Sequence, residues 1–492
     1  MASCRLCLME MKLPHPRTRE LGWAPKLFPS CQTPIRDGME VRFDSPPVVG
    51  NQKRCMEFFL LNHPLDCPVC DQAGECYLQD YSEKFGSPTS RMVEDKYKNP
   101  KKDIGPRTLL YQDRCVMCSR CVRFTSEISG TGELSIVNRG SRIEIDVFPG
   151  VPLDNKLQGN VVDLCPVGCL LDKDFLFKQR VWLLKSTDSI CPGCSRGCSI
   201  EIDQNENRIH RLKPRYNEKV NEWWMCDDGR FGWKYAHRDD RLDRPLMRRG
   251  GTLDPMRWEE IPDILRFRFE RVAETDDGAS AAVVLSPMMS CEEAWLLATF
   301  ARKAAPAATL VLGHVPIEGE DEKFPKGFTI NAEKCPNRRG VQAVIEHFGG
   351  PTAGFDEFLT AAGEGKFDLV YLTGGYPQEW ITKDHHKALK DVGFLVVHDL
   401  WPSSLFECAN MVIPGCVWAE REGSFVNCDG ITQPFQRALT PLDGVKRDGQ
   451  LFHELCDGIG LYRATDVRRR MAESIAAIKD VYVPRALPVH AH

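Results

Sequence analysis

Sixteen of the 22 cysteines in this 492-residue chain fall between Cys4 and Cys226, and only six lie beyond. This crowding constrains the fold more than any other feature. The start, Met1-Ala2-Ser3-Cys4-Arg5, shows no basic segment followed by an apolar one, so no secretory signal is expected. A chain kept in a reducing compartment has free thiols, and free thiols in such number point to bound metal rather than disulfides. No apolar run of about 18 residues occurs, so no membrane-spanning helix is expected. A formal charge of −5 and a pI near 6.2 exclude a dominant electrostatic pull towards nucleic acid. At roughly 150 residues per domain, the length suggests about three domains.

The sequence changes character near residue 240. Before it, Pro, Gly and Cys punctuate the chain, with a helix predicted over 52–61. After it come short apolar runs: 281–286, 309–312, 368–372, 394–397 and 411–413. They alternate with amphipathic segments at 291–305, 340–348 and 355–362. That alternation predicts a parallel α/β sheet covered on both faces. The polar run 318–326 reads as an exposed loop, and Arg468-Arg469-Arg470 as a last helix before a loose, proline-containing end.

Four groups of metal-type ligands stand out. In Cys115-x2-Cys118-x2-Cys121, three thiolates at two-residue gaps can wrap three corners of a cuboidal iron–sulfur cluster. A Cys-Pro follows at Cys165-Pro166 after 43 residues, as in the bacterial ferredoxin run, and Cys165 is preferred as fourth ligand. Cys169 could compete for that role, and otherwise packs as a small hydrophobe. The second group, His63-x3-Cys67-x2-Cys70-x5-Cys76, suffices for one tetranuclear cluster, with zinc a serious rival. A neutral imidazole in place of a thiolate would make such a cluster easier to reduce. The third is Cys191-x2-Cys194-x3-Cys198 with Cys226, where Gly193 and Gly197 suit a backbone turning tightly around sulfide. Zinc remains open there too. The fourth, Cys4, Cys7 and Cys31, is one ligand short of a binuclear site. Cys55 is a possible substitute.

Taken in order, these residues resemble the large iron–sulfur subunit of bacterial NADH:quinone oxidoreductase, respiratory complex I. Ser3-Cys4-Arg5-Leu6-Cys7-Leu8-Met9-Glu10 is similar to the stretch carrying that family's second and third binuclear-cluster ligands. His63 to Cys76 matches its histidine-ligated cluster. Cys115, Cys118, Cys121 and Cys165-Pro166-Val167-Gly168 match the next cluster. Cys191, Cys194, Cys198 and Cys226 resemble an extra cluster kept by some bacterial members. The resemblance implies an α+β multi-domain chain, with ferredoxin-like iron–sulfur domains followed by a molybdopterin-oxidoreductase-like α/β domain. Its implied parts are a partial plant-type [2Fe-2S] domain (1–50), a [4Fe-4S] domain with one histidine and three cysteine ligands (51–100) and a bacterial-ferredoxin-like [4Fe-4S] domain (101–183). A [4Fe-4S] module of molybdopterin-oxidoreductase type (184–240), an α/β scaffold (241–475) and a tail (476–492) complete it.

Two departures from the family pattern shape the expectations. The ligand expected about ten residues before Cys4 is absent, so either the true start lies upstream or the binuclear cluster is degraded. The long gap from Cys7 to Cys31 implies a loop insertion around 14–26. The late motif Glu420-x2-Gly423-Ser424 with Asn427 and Gly430 matches the pterin-binding domain only in outline. Cys291, Cys335, Cys408, Cys416, Cys428 and Cys456 share no ligand spacing, so the resemblance implies an inert scaffold without molybdopterin.

No acid–base or nucleophilic constellation is visible, and no G-x-G-x-x-G joins a strand to a helix, so no autonomous active site is expected. The resemblance implies an electron relay carrying three [4Fe-4S] clusters and one [2Fe-2S] cluster. Its partners would be the flavin/NADH-binding subunit and other peripheral-arm subunits. It would be cytoplasmic, meeting the inner face of the cell membrane only through the complex. Two rivals stand: the electron-input subunit of a soluble NAD-linked formate dehydrogenase or hydrogenase, and a cluster-free or zinc-stabilised scaffold. A hydrogenase would need further cysteine motifs beyond Cys226, and none is present.

Overall fold

A computed structural model describes residues 4–14 and 17–484, to which the following description is confined. The chain forms two compact units, one of Met1–Leu184 with Phe324–Lys326, the other of Lys185–Lys323 with Gly327–His492. Twelve of the sixteen crowded cysteines lie in the first unit and four in the second.

The first unit is built from short elements. Strand Leu8–Pro14 pairs antiparallel with Leu21–Trp23, Phe28–Pro29 and Val41–Arg42. The supposed loop insertion at 14–26 thus contains a strand, its register set by Lys12 opposite Trp23. Helix Pro46–Leu60 packs against Leu8–Pro14. It starts six residues earlier than expected, because proline is tolerated in a first turn whose N–H groups have no helical acceptor. Its buried positions Val48, Cys55 and Met56 recur at helical spacing on one face. A second sheet orders Lys101–Asp103, Thr108–Tyr111 and Leu170–Asp172 antiparallel. Leu110 opposite Leu170 brings the chain before Cys115 beside the chain after Cys165, which closes the long gap between those cysteines.

The second unit opens with an antiparallel sheet of Lys185–Ile190, Ser199–Asn205 and Arg208–Pro214. Its main body is an eight-stranded sheet. The order is Thr252–Pro255, Leu246–Arg249, Met411–Pro414, Phe394–Asp399, Leu369–Thr373, Ala281–Leu285, Thr309–Leu312 and Thr352–Ala353. The strands from Met411–Pro414 onwards run parallel, and the first two form an antiparallel hairpin at the edge.

Alternate residues of the central strands face opposite sides, as the two-residue strand period demands. Ala281, Val283 and Leu285 join helices Glu260–Asp276, Cys291–Ala304 and Arg338–Phe348, while Ala282 and Val284 join helix Phe355–Gly363. Both faces are therefore covered. Helix Cys291–Ala304 begins with a reciprocal cap: Glu293 N donates to Ser290 Oγ (3.2 Å) and Ser290 N donates to Glu293 Oε2 (2.9 Å). The run 318–326 is not wholly loop, since Glu322–Lys323 pairs with Thr329–Ile330. Two residues of alternation are too few to read from sequence. The basic segment lies in helix Ala464–Ala472, and Pro488 falls outside the described residues.

Candidate metal centres

The Cys115 group lines a cavity of about 20 Å³. Cys115, Cys118, Cys121, Cys165 and Cys169 all reach it, with Leu110, Ile145, Val167 and Leu170 as apolar walls. The loop between the first thiols turns tightly: Met117 (φ 52°) and Ser119 (φ 59°) both adopt the left-handed conformation. Such backbone costs about 1–3 kcal/mol per residue unless its surroundings hold it, and it concentrates at functional sites. Met117 N donates to Cys115 Sγ (3.3 Å), and helix Arg120–Phe124 presents Cys121. Cys165 closes helix Asn160–Leu164. Hydrogen bonding from the Cys169 side chain brings the Cys165 thiol down to about 7 against the opposing effect of burial. Cys115 is lowered for the same first reason, and Cys169 is pushed up.

The His63 group lines a second cavity of about 20 Å³, with Asp66, Gln79, Arg114 and Gly168 beside His63, Cys67, Cys70 and Cys76. Burial, then the positive Arg114 and Lys96, push the His63 imidazole down to about 4. It is therefore neutral at pH 7 and has a lone pair to offer a metal. The Arg114 side chain is 3% exposed and binds Asp66 through Nη2 (2.7 Å) and Nε (3.1 Å), with Nη1 reaching the Gly168 carbonyl (3.4 Å). Two contacts invisible to spacing hold the Cys67–Cys70 turn: Arg180 donates to the carbonyls of Pro68 and Cys70, and Phe177 N donates to Asp71. A Cβ on Gly168 would overlap Cys70 Sγ, so only glycine fits. The two cavities share a wall: Cys165, Pro166, Val167 and Cys169 line one, and Gly168 lines the other.

Cys191, Cys194, Cys198 and Cys226 come together in the second unit, all buried. Burial first, then the Cys194 sulfur, push Cys191 up to about 12. Gly193 lies against Cys191 Sγ, and Gly197 has φ +62°. A closer glycine, Gly229, escaped sequence reasoning because it lies in the helix after Cys226. Its Cβ would stand 2.9 Å from Cys191 Sγ, and its N–H donates to Cys226 Sγ (3.4 Å). The late motif braces this loop from more than two hundred residues away. Cys428 N donates to the Ser195 carbonyl (2.8 Å), Asn427 Nδ2 to Arg196 (3.2 Å) and Gln433 Nε2 to Gly197 (2.8 Å).

The remaining trio is more open, with Cys4 and Cys31 exposed. Strand pairing of Leu8 with Pro29 brings Cys7 beside Cys31. Burial pushes the Cys7 thiol up, but hydrogen bonds from the Cys31 backbone and from Ser30 outweigh it and bring it down. Asn51 Nδ2 donates to the Arg5 carbonyl (2.9 Å), and Cys55 Sγ lies 3.7 Å from Asn51 Oδ1. Burial and then the nearby Cys4 push the Cys55 thiol up.

Among the described residues no three His, Cys, Asp or Glu side chains are grouped as a site for a single metal ion.

Comparison with known proteins agrees with this chemistry. Residues 52–91 match the NADH-ubiquinone oxidoreductase-G iron-sulfur binding region, and residues 105–171 the NADH-quinone oxidoreductase subunit 3 ferredoxin-like domain. Residues 184–238 match the molybdopterin oxidoreductase Fe4S4 domain, and 349–458 molybdopterin oxidoreductase. The NADH-quinone oxidoreductase G subunit of Rickettsia conorii is 41% identical over 261 residues, 52% of this chain and 37% of that protein. The NADH-ubiquinone oxidoreductase 75 kDa subunit of Reclinomonas americana is 35% identical over 323 residues, 65% of this chain and 45% of that protein. The match thus spans less than half the length of these relatives. A solved NAD+-reducing [NiFe]-hydrogenase in the H2-reduced state shares 25% identity and a TM-score of 0.31 over 37% of this chain and 74% of its own, which carries no argument. No helix among the described residues is long and apolar enough to cross a membrane. The chain is thus similar to part of the G subunits of NADH-quinone oxidoreductase, with ferredoxin-like iron–sulfur domains followed by a molybdopterin-oxidoreductase domain.

Proposed function

We propose that the chain is an electron-relay subunit of NADH:quinone oxidoreductase. It would take single electrons from a flavin/NADH-binding subunit and pass them towards quinone, joined to the membrane only through its complex. The observation that carries this reading is the shared wall between the His63 and Cys115 cavities, formed by Cys165 to Cys169. Two redox centres separated by one loop are close enough for outer-sphere transfer, and a rigid wall keeps reorganisation small.

The ligand sets are His63, Cys67, Cys70 and Cys76; Cys115, Cys118, Cys121 and Cys165; and Cys191, Cys194, Cys198 and Cys226, each for one [4Fe-4S] cluster. Cys4, Cys7 and Cys31 would serve a [2Fe-2S] cluster. When bound, the clusters supply one-electron chemistry. The chain's own residues do the rest. Arg114 holds a positive charge and Asp66 against the His63 cavity, and Gly168 keeps the wall thin. Leu110, Ile145, Val167 and Leu170 exclude water from the Cys115 cavity. Burial and hydrogen bonds to sulfur are the levers that set cluster potentials.

The α/β domain is proposed as a scaffold without molybdopterin. Ligands of such sheets bind at the carboxyl ends of the strands. There Asp399 accepts hydrogen bonds from Gly375 N (2.8 Å), Leu400 N (2.7 Å) and Trp380 Nε1 (2.7 Å), a self-satisfied arrangement.

Iron, acid-labile sulfide and low-temperature EPR on anaerobically purified protein test the relay. Three tetranuclear signals are expected, and Cys118→Ala should abolish one while leaving two. A preparation that holds only zinc would sink the proposal.

A further inference from the structure

Five thiols ring the Cys115 cavity, where a tetranuclear cluster offers four iron corners. The extra one is not a bystander. Cys169 is 3% exposed and lines the cavity together with Cys115, Cys118, Cys121 and Cys165. Its backbone is tied to a sheet. Its carbonyl accepts from Tyr111 N (2.7 Å), and the next residue enters the strand Leu170–Asp172 that pairs with Thr108–Tyr111. Cys165 sits at the C-terminal end of the five-residue helix Asn160–Leu164, its N–H donating to the Val161 and Val162 carbonyls (3.2 Å each). Only Pro166, Val167 and Gly168 separate the two thiols in sequence.

We infer that Cys169 is a reserve ligand of this site. While Cys165 occupies its corner, Cys169 lies unligated beside it. When Cys165 cannot bind, the Cys169 S–H bond breaks, its proton passes to solvent and its sulfur makes the Fe–S bond in place of Cys165. No electron changes hands in the exchange. The inference rests on the reading of Cys115, Cys118, Cys121 and Cys165 as cluster ligands. It adds a fifth thiol that a four-ligand motif does not require.

The test uses the full chain, purified anaerobically, with iron content and low-temperature EPR as readouts. Cys165→Ala should keep its iron and its tetranuclear signal count, with altered g-values. The double variant Cys165→Ala/Cys169→Ala should lose one tetranuclear signal and four iron atoms per chain. Equal iron loss in the single and double variants would overturn the inference, with the His63 and Cys191 signals confirming that the chain has folded. Cys169→Ala gives a second, milder reading. Its cluster should persist with wild-type iron and the wild-type signal, because Cys165 still holds the fourth corner. Loss of that iron and signal would overturn the inference by making Cys169 a primary ligand. Wild-type protein without iron and sulfide is a different failure, since it would remove the relay proposal itself.

Discussion

In the second unit, Val283, Leu285, Tyr371 and Val396 are wholly buried on one face of a parallel sheet, and Val284, Val370 and Leu395 on the other. Apolar contact alone closes that core. In the first unit, strands are two to seven residues long, and two enclosed spaces are lined by thiols and an imidazole. Left-handed Met117 and Ser119 sit where those thiols converge. The same chain thus carries one region held by packing and another whose interior is shaped for an inorganic filling. Small metal-built domains gain much of their folding free energy from the metal, whereas a large covered sheet does not need it. The Cys191 group tests this division, because it is a thiol site set within the packed unit and braced by residues 427–433.

Removing iron should produce the largest difference between the two regions. After anaerobic chelation, amides of Thr108–Tyr111 and Leu170–Asp172 should lose most of their hydrogen-exchange protection, while those of Ala281–Leu285 and Leu369–Thr373 keep theirs. Equal loss in both would break the comparison. The packed unit has its own weak point in a buried charge cluster. Arg421 Nη1 lies 3.2 Å from Glu293 and 3.5 Å from Asp448, and His398 Nε2 lies 3.3 Å from Asp448. Arg421→Met strands both carboxylates and should destabilise that unit by about 3–5 kcal/mol in urea melts. A cost below about 1 kcal/mol would mean the carboxylates are held by their other donors.

A smaller effect is expected where packing meets the thiol site. Gln433→Ala removes the donor to Gly197 and the acceptor shared by Ser199 Oγ and Asn217 Nδ2, and should cost about 1–3 kcal/mol. The Cys191 EPR signal should weaken while the others hold, and unaltered iron retention there would argue against the brace. The smallest effect concerns pH. Half-buried His237 accepts a hydrogen bond from Ile209 N (2.9 Å), and burial, then Arg208 and Arg241, push it from 6.5 down to about 4. The unfolded chain therefore binds more protons between those values, so His237 contributes stability above pH 6.5 that is lost as pH falls towards 4. His237→Gln keeps an acceptor without the titration, and its melting temperature should fall less steeply over that window. Parallel curves would rule His237 out as the cause.

The candidate ligand groups and the class of sheet were legible in the sequence, because both are written in local spacing. Cys115, Cys118 and Cys121 must share a loop, and alternating residues at 281–285 and 394–397 must face opposite sides of a strand. Helix Cys291–Ala304 was legible to within one residue for the same reason, since an apolar stripe at helical spacing needs no partner to be read. Tertiary structure alone decided what stands behind the thiols. Gly229 against Cys191 Sγ, Gln433 behind Gly197, Arg180 across the Cys67 turn and Asn51 on the Arg5 carbonyl join residues far apart in the chain. Periodicity carries no trace of such contacts, because they depend on how elements dock. The wall from Cys165 to Cys169 combines both kinds of information. Its cysteines were visible as a motif, but only the pairing of Leu110 with Leu170 set them between two cavities.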